Sequence, residues 1–176
     1  MSEFKRVAKF EKVSFDEYKK AFDDMDLEEI KGIYDSIKLP KRATKGSAGY
    51  DFYSPIDITL KPGETVKIPT GIRCKMEDNY VLKLYPRSGL GFKYRLQLNN
   101  TVGIIDSDYY NSDNEGHIMI KLVYEGFKNS KQDSIVIKSG TAFVQGILHE
   151  VFGALNDSDT EFAKRNGGLG STTKWL

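Results

Sequence analysis

A carboxylate that directly follows an apolar run is the first feature of this sequence able to support chemistry. The segment from Asn100 to Asp106 reads NTVGIID, in which a glycine and an asparagine accompany residues that favour a strand. This order predicts a β-hairpin whose backbone can contact a ligand and whose tip carries a carboxylate. Beside a water molecule, such a carboxylate can act as a general base. A plain turn is the alternative, because Asn, Gly and Asp are common turn residues.

Two further segments carry groups that bind anions. Arg87, Ser88 and Gly89 together offer a guanidinium fork, a hydroxyl and unobstructed backbone amides. Near the end of the chain, Lys164 and Arg165 precede a glycine-rich segment. Because glycine amides can approach an anion closely, this segment is suited to capping a phosphate group. Plain disorder is the alternative for a tail of this composition.

Composition limits the classes of protein to which the chain can belong. It has 176 residues with 26 basic and 25 acidic side chains, so its net charge of +1 gives no overall positive field for nucleic acid or an anionic membrane. No apolar run approaches the roughly 18 residues of a membrane-spanning helix, and the charged N-terminus is unlike a signal peptide. The single cysteine, Cys74, excludes an internal disulfide, and one Cys with two His cannot build a metal cluster. We therefore expect a cytoplasmic protein.

The sequence divides into three predicted regions. Residues 1–38 hold a possible strand and two helix starts, one at Ser14, where Glu17 would complete a capping box, and one at Asp26. This helical appendage can pack on the rest of the domain or bind a partner, and packing is the favoured alternative. In residues 39–155 apolar and polar residues alternate in short segments between Gly, Pro and Asn turns, which predicts an all-β barrel or sandwich. Residues 156–176 form a flexible, glycine-rich C-terminal arm.

Five blocks of sequence follow one another in an order typical of a known family. They are residues 43–51, 85–90, 98–110, 140–145 and 166–172. In this order they resemble the five motifs of the trimeric dUTP pyrophosphatase (dUTPase) family, and the resemblance extends from about residue 39 to residue 173. It implies a jelly-roll β-barrel, a homotrimer with shared active sites, and hydrolysis of dUTP to dUMP and pyrophosphate.

The resemblance also implies roles for individual residues. Asp106 matches the general base that activates water for attack on the α-phosphorus, and Tyr109 matches the aromatic residue that packs on the deoxyribose and excludes a 2′-hydroxyl. Asn100 and the backbone near Gly103 and Ile105 would read uracil, whose two carbonyls and one N–H complement an amide and main-chain groups. The remaining substrate-binding residues would be Arg87, Ser88, Gly89, Gln145, Gly168, Leu169, Gly170 and Ser171, and Arg165 would take part in catalysis.

Mg²⁺ is the expected cofactor. A hard cation on triphosphate oxygens neutralises charge while it keeps most of its waters. No direct protein ligand is expected for it. Asp51 matches the aspartate of the family's first motif and would reach the ion through water or hold the site together.

The chain departs from the family pattern at several positions. Ala142 stands where the fourth motif has an arginine, and Leu169 replaces the phenylalanine that covers the uracil. The tail cation is either Arg165 or Lys164, and we favour Arg165. Residues 111–115 lengthen the turn after the third motif, with no assigned effect.

Two other functions fit parts of the pattern. A dCTP deaminase shares the fold, but the Asn100 segment and the complete glycine-rich tail favour a dUTPase. A regulatory binding protein could keep the fold and use the N-terminal helices, but the presence of Asp106, Arg87 and Tyr109 argues against lost chemistry.

Overall fold

Short antiparallel strands are the main regular elements of the structure. The computed structural model describes residues 5–126, 133–155, 157 and 168. The strands are β1 Ala8–Lys12, β2 Tyr50–Tyr53, β3 Ile58–Leu60, β4 Thr65–Pro69, β5 Ile72–Met76, β6 Tyr80–Pro86, β7 Leu96–Leu98, β8 Gly103–Asp106, β9 Met119–Tyr124, β10 Ile135–Ile137 and β11 Ala142–Glu150. The helices are α1 Phe15–Lys19, α2 Leu27–Ser36, α3 Ser88–Tyr94 and a 3₁₀ helix, Ser107–Asn111.

Two of the sheets position the site. One has the strand order β2-β11-β6-β8, and the other has the order β4-β9-β7. Two smaller sheets pair β1 with β5 and β10 with β3. All of these pairs are antiparallel, and the sheets surround one apolar core in a jelly-roll-like arrangement. The prediction of an all-β fold with short N-terminal helices is therefore confirmed.

The N-terminal helices pack on this core. Tyr18 of α1 is fully buried and Ile30 of α2 nearly so, and both belong to the same apolar cluster as the strands. Burying a large apolar side chain contributes roughly 1.5–3 kcal/mol, so the helices are part of the folded unit. Gly71 allows their close approach, because its φ is +69° and a Cβ there would lie 2.4 Å from Ile37 Cδ1. In the part of the chain that the structure describes, no helix is long and apolar enough to cross a membrane.

The predicted β-hairpin at Asn100 to Asp106 is wrong. Strand β7 pairs with β9, whereas β8 pairs with β6 at the edge of the other sheet. The turn between them is tight, because the Thr101 N–H donates to the Leu98 carbonyl at 2.9 Å and Thr101 has a φ of +63°. The segment therefore links two sheets, and Asp106 stands at the end of β8 instead of at the tip of a hairpin.

The start of α1 is capped from two directions. Ser14 Oγ accepts the Glu17 N–H at 3.1 Å, which confirms the first half of the predicted capping box. The second half is wrong, because the Glu17 carboxylate pairs with Lys20 at 2.7 Å. The Ser14 N–H donates instead to Glu115 Oε2 at 2.8 Å, and the Ser14 hydroxyl donates to Glu115 Oε1 at 2.6 Å. The lengthened turn after the third motif thus holds the N-terminal helix.

Candidate active site

A cavity of about 300 Å³ lies between the edge strand β8 and the sheet β4-β9-β7. This volume is at the lower end of the range of roughly 300–1,000 Å³ that is typical of small-molecule sites. Its walls combine apolar side chains with amide and charged groups: Glu17, Lys67, Leu84, Leu98, Asn100, Gly103, Ile104, Ile105, Tyr109, Asn114, Met119, Ile120, Lys121 and Gly168. Five residues assigned to substrate binding from the sequence, namely Asn100, Gly103, Ile105, Tyr109 and Gly168, meet here.

Strand β8 supplies one wall of the cavity and leads to the predicted base. Gly103 stands opposite Leu84 of β6, and a Cβ on Gly103 would lie 3.1 Å from Leu84 Cβ. Glycine thus lets β8 pack closely on β6. Ile105 lines the cavity, and Asp106 follows it as the last residue of the strand, half-buried. Asp106 is not among the residues that line the cavity, but it ends the strand that forms this wall.

Tyr109 is the aromatic group of the cavity. It is 8% exposed, and its hydroxyl donates to the His117 carbonyl at 2.8 Å. Gly168 lies against the ring, because a Cβ on Gly168 would be 2.9 Å from Tyr109 Cε2. Gly168, which belongs to the glycine-rich tail, therefore contacts the residue predicted to select the sugar.

The phosphate-binding residues predicted from the sequence form a second group. Arg87 Nε lies 3.2 Å from Asp51 Oδ1, and Arg87 Nη1 donates to the Ala142 carbonyl at 3.4 Å. Gln145 is the partner of Asp51 across β11 and β2, and its Nε2 donates to the Pro86 carbonyl at 3.2 Å. Asp51 thus holds the guanidinium of Arg87 by an ion pair.

Helix α3 directly follows Arg87. Ser88 and Gly89 are its first two residues, and both are exposed. The first amides of a helix have no acceptor within the helix. These two N–H groups are therefore suited to an anion that Arg87 also contacts.

The two groups lie at opposite ends of β6. Asp106 stands opposite Val81, near the start of this strand, whereas Arg87 follows Pro86 at its end. At about 3.4 Å per residue, the two positions are roughly 20 Å apart along the sheet. One chain therefore does not bring Asp106 and Arg87 into a single site through this sheet.

Five of the tail residues singled out from the sequence lie outside the described residues: Lys164, Arg165, Leu169, Gly170 and Ser171. Conversely, four polar residues on the cavity wall were not predicted: Glu17, Lys67, Asn114 and Lys121. Lys67 and Lys121 stand opposite each other on β4 and β9. The sequence shows that both lysines alternate with apolar residues. It does not show that β4 pairs with β9, which places both lysines at one cavity.

The His117 carbonyl accepts the hydrogen bond of the Tyr109 hydroxyl, and Tyr109 lines the cavity. His117 is fully buried, and its Nε2 accepts the Gly71 N–H at 2.9 Å, so the neutral ring carries its proton on Nδ1. Burial, reinforced by the positive charge of Lys67, lowers the pKa of His117 from 6.5 to about 4. The folded protein therefore keeps this imidazole neutral at a pH where an unfolded chain protonates it.

The protein is expected to lose stability in acid because of His117. Between pH 6.5 and about pH 4 the unfolded chain binds a proton that the folded state does not, so the free energy of unfolding falls as pH falls, by about 3 kcal/mol in total. Urea unfolding across this pH range, at one protein concentration, measures the effect. His117→Gln keeps an acceptor for Gly71 but cannot titrate, so its pH dependence should be weaker by that amount. Equal slopes for both proteins would contradict the assignment.

The described residues contain no group of three or more His, Cys, Asp and Glu side chains placed to hold a metal ion. An ion carried by triphosphate needs only phosphate and water oxygens as ligands. Asp51 is 15% exposed at its side chain and lies beside Arg87. The residues present thus fit an ion that a substrate brings with it, with Asp51 as an acceptor for its waters.

Comparisons with known proteins agree with this architecture. A family model described as dUTPase matches residues 35–173. The chain is 41% identical over 137 residues to the deoxyuridine 5′-triphosphate nucleotidohydrolase of Lactococcus lactis, covering 77% of this chain and 88% of that protein. It is 37% identical over 148 residues to the corresponding protein of Nautilia profundicola, with 82% and 97% covered. The crystal structure of the dUTPase from Streptococcus mutans superimposes with a TM-score of 0.62 at 31% identity, covering 82% of this chain and 97% of that one.

The fold, the cavity and these relatives define the class of protein as a nucleotide hydrolase built from antiparallel sheets. Within this class, the chain belongs to the dUTPase family.

Proposed function

We propose that this protein hydrolyses dUTP to dUMP and pyrophosphate by Mg²⁺-assisted attack of water on the α-phosphorus. The observation that carries the proposal is the cavity lined by Asn100, Gly103, Ile105 and Tyr109, with Asp106 directly after Ile105 at the end of β8. An amide and backbone groups complement uracil, and a cytosine there would leave a buried group without its partner. By acting in the cytoplasm, where the single buried cysteine would stay reduced, the enzyme would keep uracil out of DNA and supply dUMP.

In the reaction, the Asp106 carboxylate takes a proton from the attacking water. The Tyr109 ring packs on the deoxyribose, and its fixed position leaves no space for a 2′-hydroxyl. Arg87, with Ser88, Gly89 and Gln145, binds the phosphate chain. Bound Mg²⁺ would neutralise part of the charge of the phosphates, and Asp51 would accept hydrogen bonds from the waters of the ion.

The active site is shared between subunits of a homotrimer. Because Asp106 and Arg87 stand at opposite ends of β6, a site that contains both needs two copies of the chain. Large apolar side chains that a neighbouring copy can cover are exposed, including Phe92 of α3 (88%) and Phe152 after β11 (87%). Light scattering after gel filtration is expected to give three times the chain mass of 19.9 kDa.

Hydrolysis in ¹⁸O-labelled water tests the reaction at the level of atoms. Attack on the α-phosphorus places one ¹⁸O atom in dUMP and leaves pyrophosphate unlabelled, whereas attack on the β-phosphorus labels pyrophosphate. Mass spectrometry of the two products distinguishes these outcomes. Label in pyrophosphate, or release of inorganic phosphate, would contradict the proposed attack.

The glycine-rich arm is expected to act on catalysis and not on folding. Gly168 contacts the Tyr109 ring, and closure of a glycine-rich segment over bound substrate would exclude water from the site. Removing all residues after 156 should therefore lower turnover at least about tenfold, while the oligomer and its thermal unfolding are unchanged. Arg165→Ala and Lys164→Ala, made separately, identify the tail cation, and we expect the larger loss for Arg165. Unchanged turnover after truncation would exclude a role for the arm.

A further inference from the structure

The turn between the 3₁₀ helix and β9 supplies a hydrogen bond to Tyr109. Asn114 Nδ2 donates to the Tyr109 hydroxyl at 2.8 Å, and this hydroxyl donates in turn to the His117 carbonyl at 2.8 Å. Asn114 Oδ1 accepts the Gly116 N–H at 3.2 Å, which fixes the end of the amide that faces Tyr109. With the amide reversed, Oδ1 would face a hydroxyl whose proton is already donated. The chain of bonds from Asn114 through Tyr109 to His117 therefore has one direction.

The turn is itself held on two sides. Gly116 has a φ of +69°, and a Cβ there would lie 2.7 Å from the Tyr109 carbonyl oxygen, so the turn packs directly on the 3₁₀ helix. On the other side, both carboxylate oxygens of Glu115 accept hydrogen bonds from Ser14 at the start of α1. Asn114 is therefore fixed relative to the core and to α1, and it can act as a rigid support.

We propose that Asn114 is a positioning residue that holds the Tyr109 ring against the sugar and thereby sets the preference for 2′-deoxyribose over ribose. The proposal rests on the proposed function, in which Tyr109 packs on the deoxyribose. An aromatic ring excludes an extra hydroxyl only if it cannot move aside. Asn114 and Tyr109 line the same cavity, so the bond between them restrains the ring where the sugar binds.

Asn114→Asp isolates this bond. The aspartate has the size of the amide and can still accept from Gly116, but it cannot donate to Tyr109. We expect the ratio of kcat/KM for dUTP to kcat/KM for UTP to fall about three- to tenfold, as for the loss of one hydrogen bond. Asn114→Ala lacks the donor without adding charge and should give a similar fall. Asn111→Asp adds the same charge at the exposed last residue of the 3₁₀ helix, directly before this turn, and its ratio should equal that of the wild type.

A double-mutant cycle with Tyr109→Phe shows whether Asn114 acts through the hydroxyl. Once the hydroxyl is absent, Asn114→Asp should lower the ratio no further. Additive losses, or a wild-type ratio for both Asn114 variants, would overturn this proposal alone. A wild-type enzyme that used UTP as well as dUTP would overturn the proposed sugar selection itself, and this proposal with it.

Discussion

Replacement of Asp106 by asparagine is expected to lower the turnover of dUTP by about 10²–10⁴-fold, the usual contribution of a general base. Asp106 follows Ile105, which lines the cavity, and it ends β8. We therefore expect its carboxylate to stand beside a nucleotide bound in the cavity. The carboxamide keeps the size of the side chain but cannot take the proton of the attacking water. Steady-state kinetics give kcat, and calorimetry with an α,β-imido analogue of dUTP gives the affinity, which should change little.

Asp108→Asn is the matched control. Asp108 lies two positions further on, within the 3₁₀ helix. Its loss should leave turnover within about tenfold of the wild type, because the same chemical change is made away from the attacking water. An Asp106→Asn enzyme within tenfold of the wild type, or a larger loss for Asp108→Asn, would contradict the assignment of the base.

Mixing two inactive variants is expected to restore activity. Arg87→Ala removes a guanidinium from the phosphates and, like Asp106→Asn, should inactivate a trimer made of one variant. In a randomly mixed trimer with shared sites, about a quarter of the sites combine Asp106 from one subunit with Arg87 from its neighbour. Co-expression of the two variants should therefore give about a quarter of the wild-type kcat per chain.

The control replaces Arg87→Ala by the double variant carrying Asp106→Asn and Arg87→Ala. No site in a mixture of Asp106→Asn with this double variant can contain both wild-type side chains, so no activity should return. Native mass spectrometry confirms that mixed trimers form in both cases. Mixed trimers as inactive as their parents would show that each chain builds its own complete site.

Features that depend on residues within a single helix or strand were predictable from the sequence. Ile58 and Leu60 alternate with an exposed Thr59 because β3 buries one face, which agrees with the alternation that predicts short strands in residues 39–155. Asp26 begins α2 as expected, since its carboxylate accepts the Glu28 N–H at 2.9 Å. In both cases the physical cause lies within a few residues of sequence.

Features that depend on contacts between distant segments were not predictable. The segment that includes Asn100 looked like a hairpin because local turn propensity does not reveal that β7 and β8 join different sheets. Likewise, the turn that contains Asn114 and Glu115 gave no sign of its partners. The Glu115 carboxylate binds Ser14, which lies 101 residues away in sequence. A single sequence contains no signal for such a pairing. It shows only that residues 111–115 lengthen the turn after the third motif.

Release of pyrophosphate from dUTP, dCTP, dTTP and UTP, each with Mg²⁺ and at the same concentration, tests the central claim most directly. Ammonia is measured in parallel, because a deaminase of the same fold would release it from dCTP. The proposed function predicts rapid release from dUTP, far slower release from the other three nucleotides, and no ammonia. Ammonia from dCTP would identify a deaminase, and binding of dUTP without pyrophosphate release would identify a regulatory protein; either result would contradict the proposal.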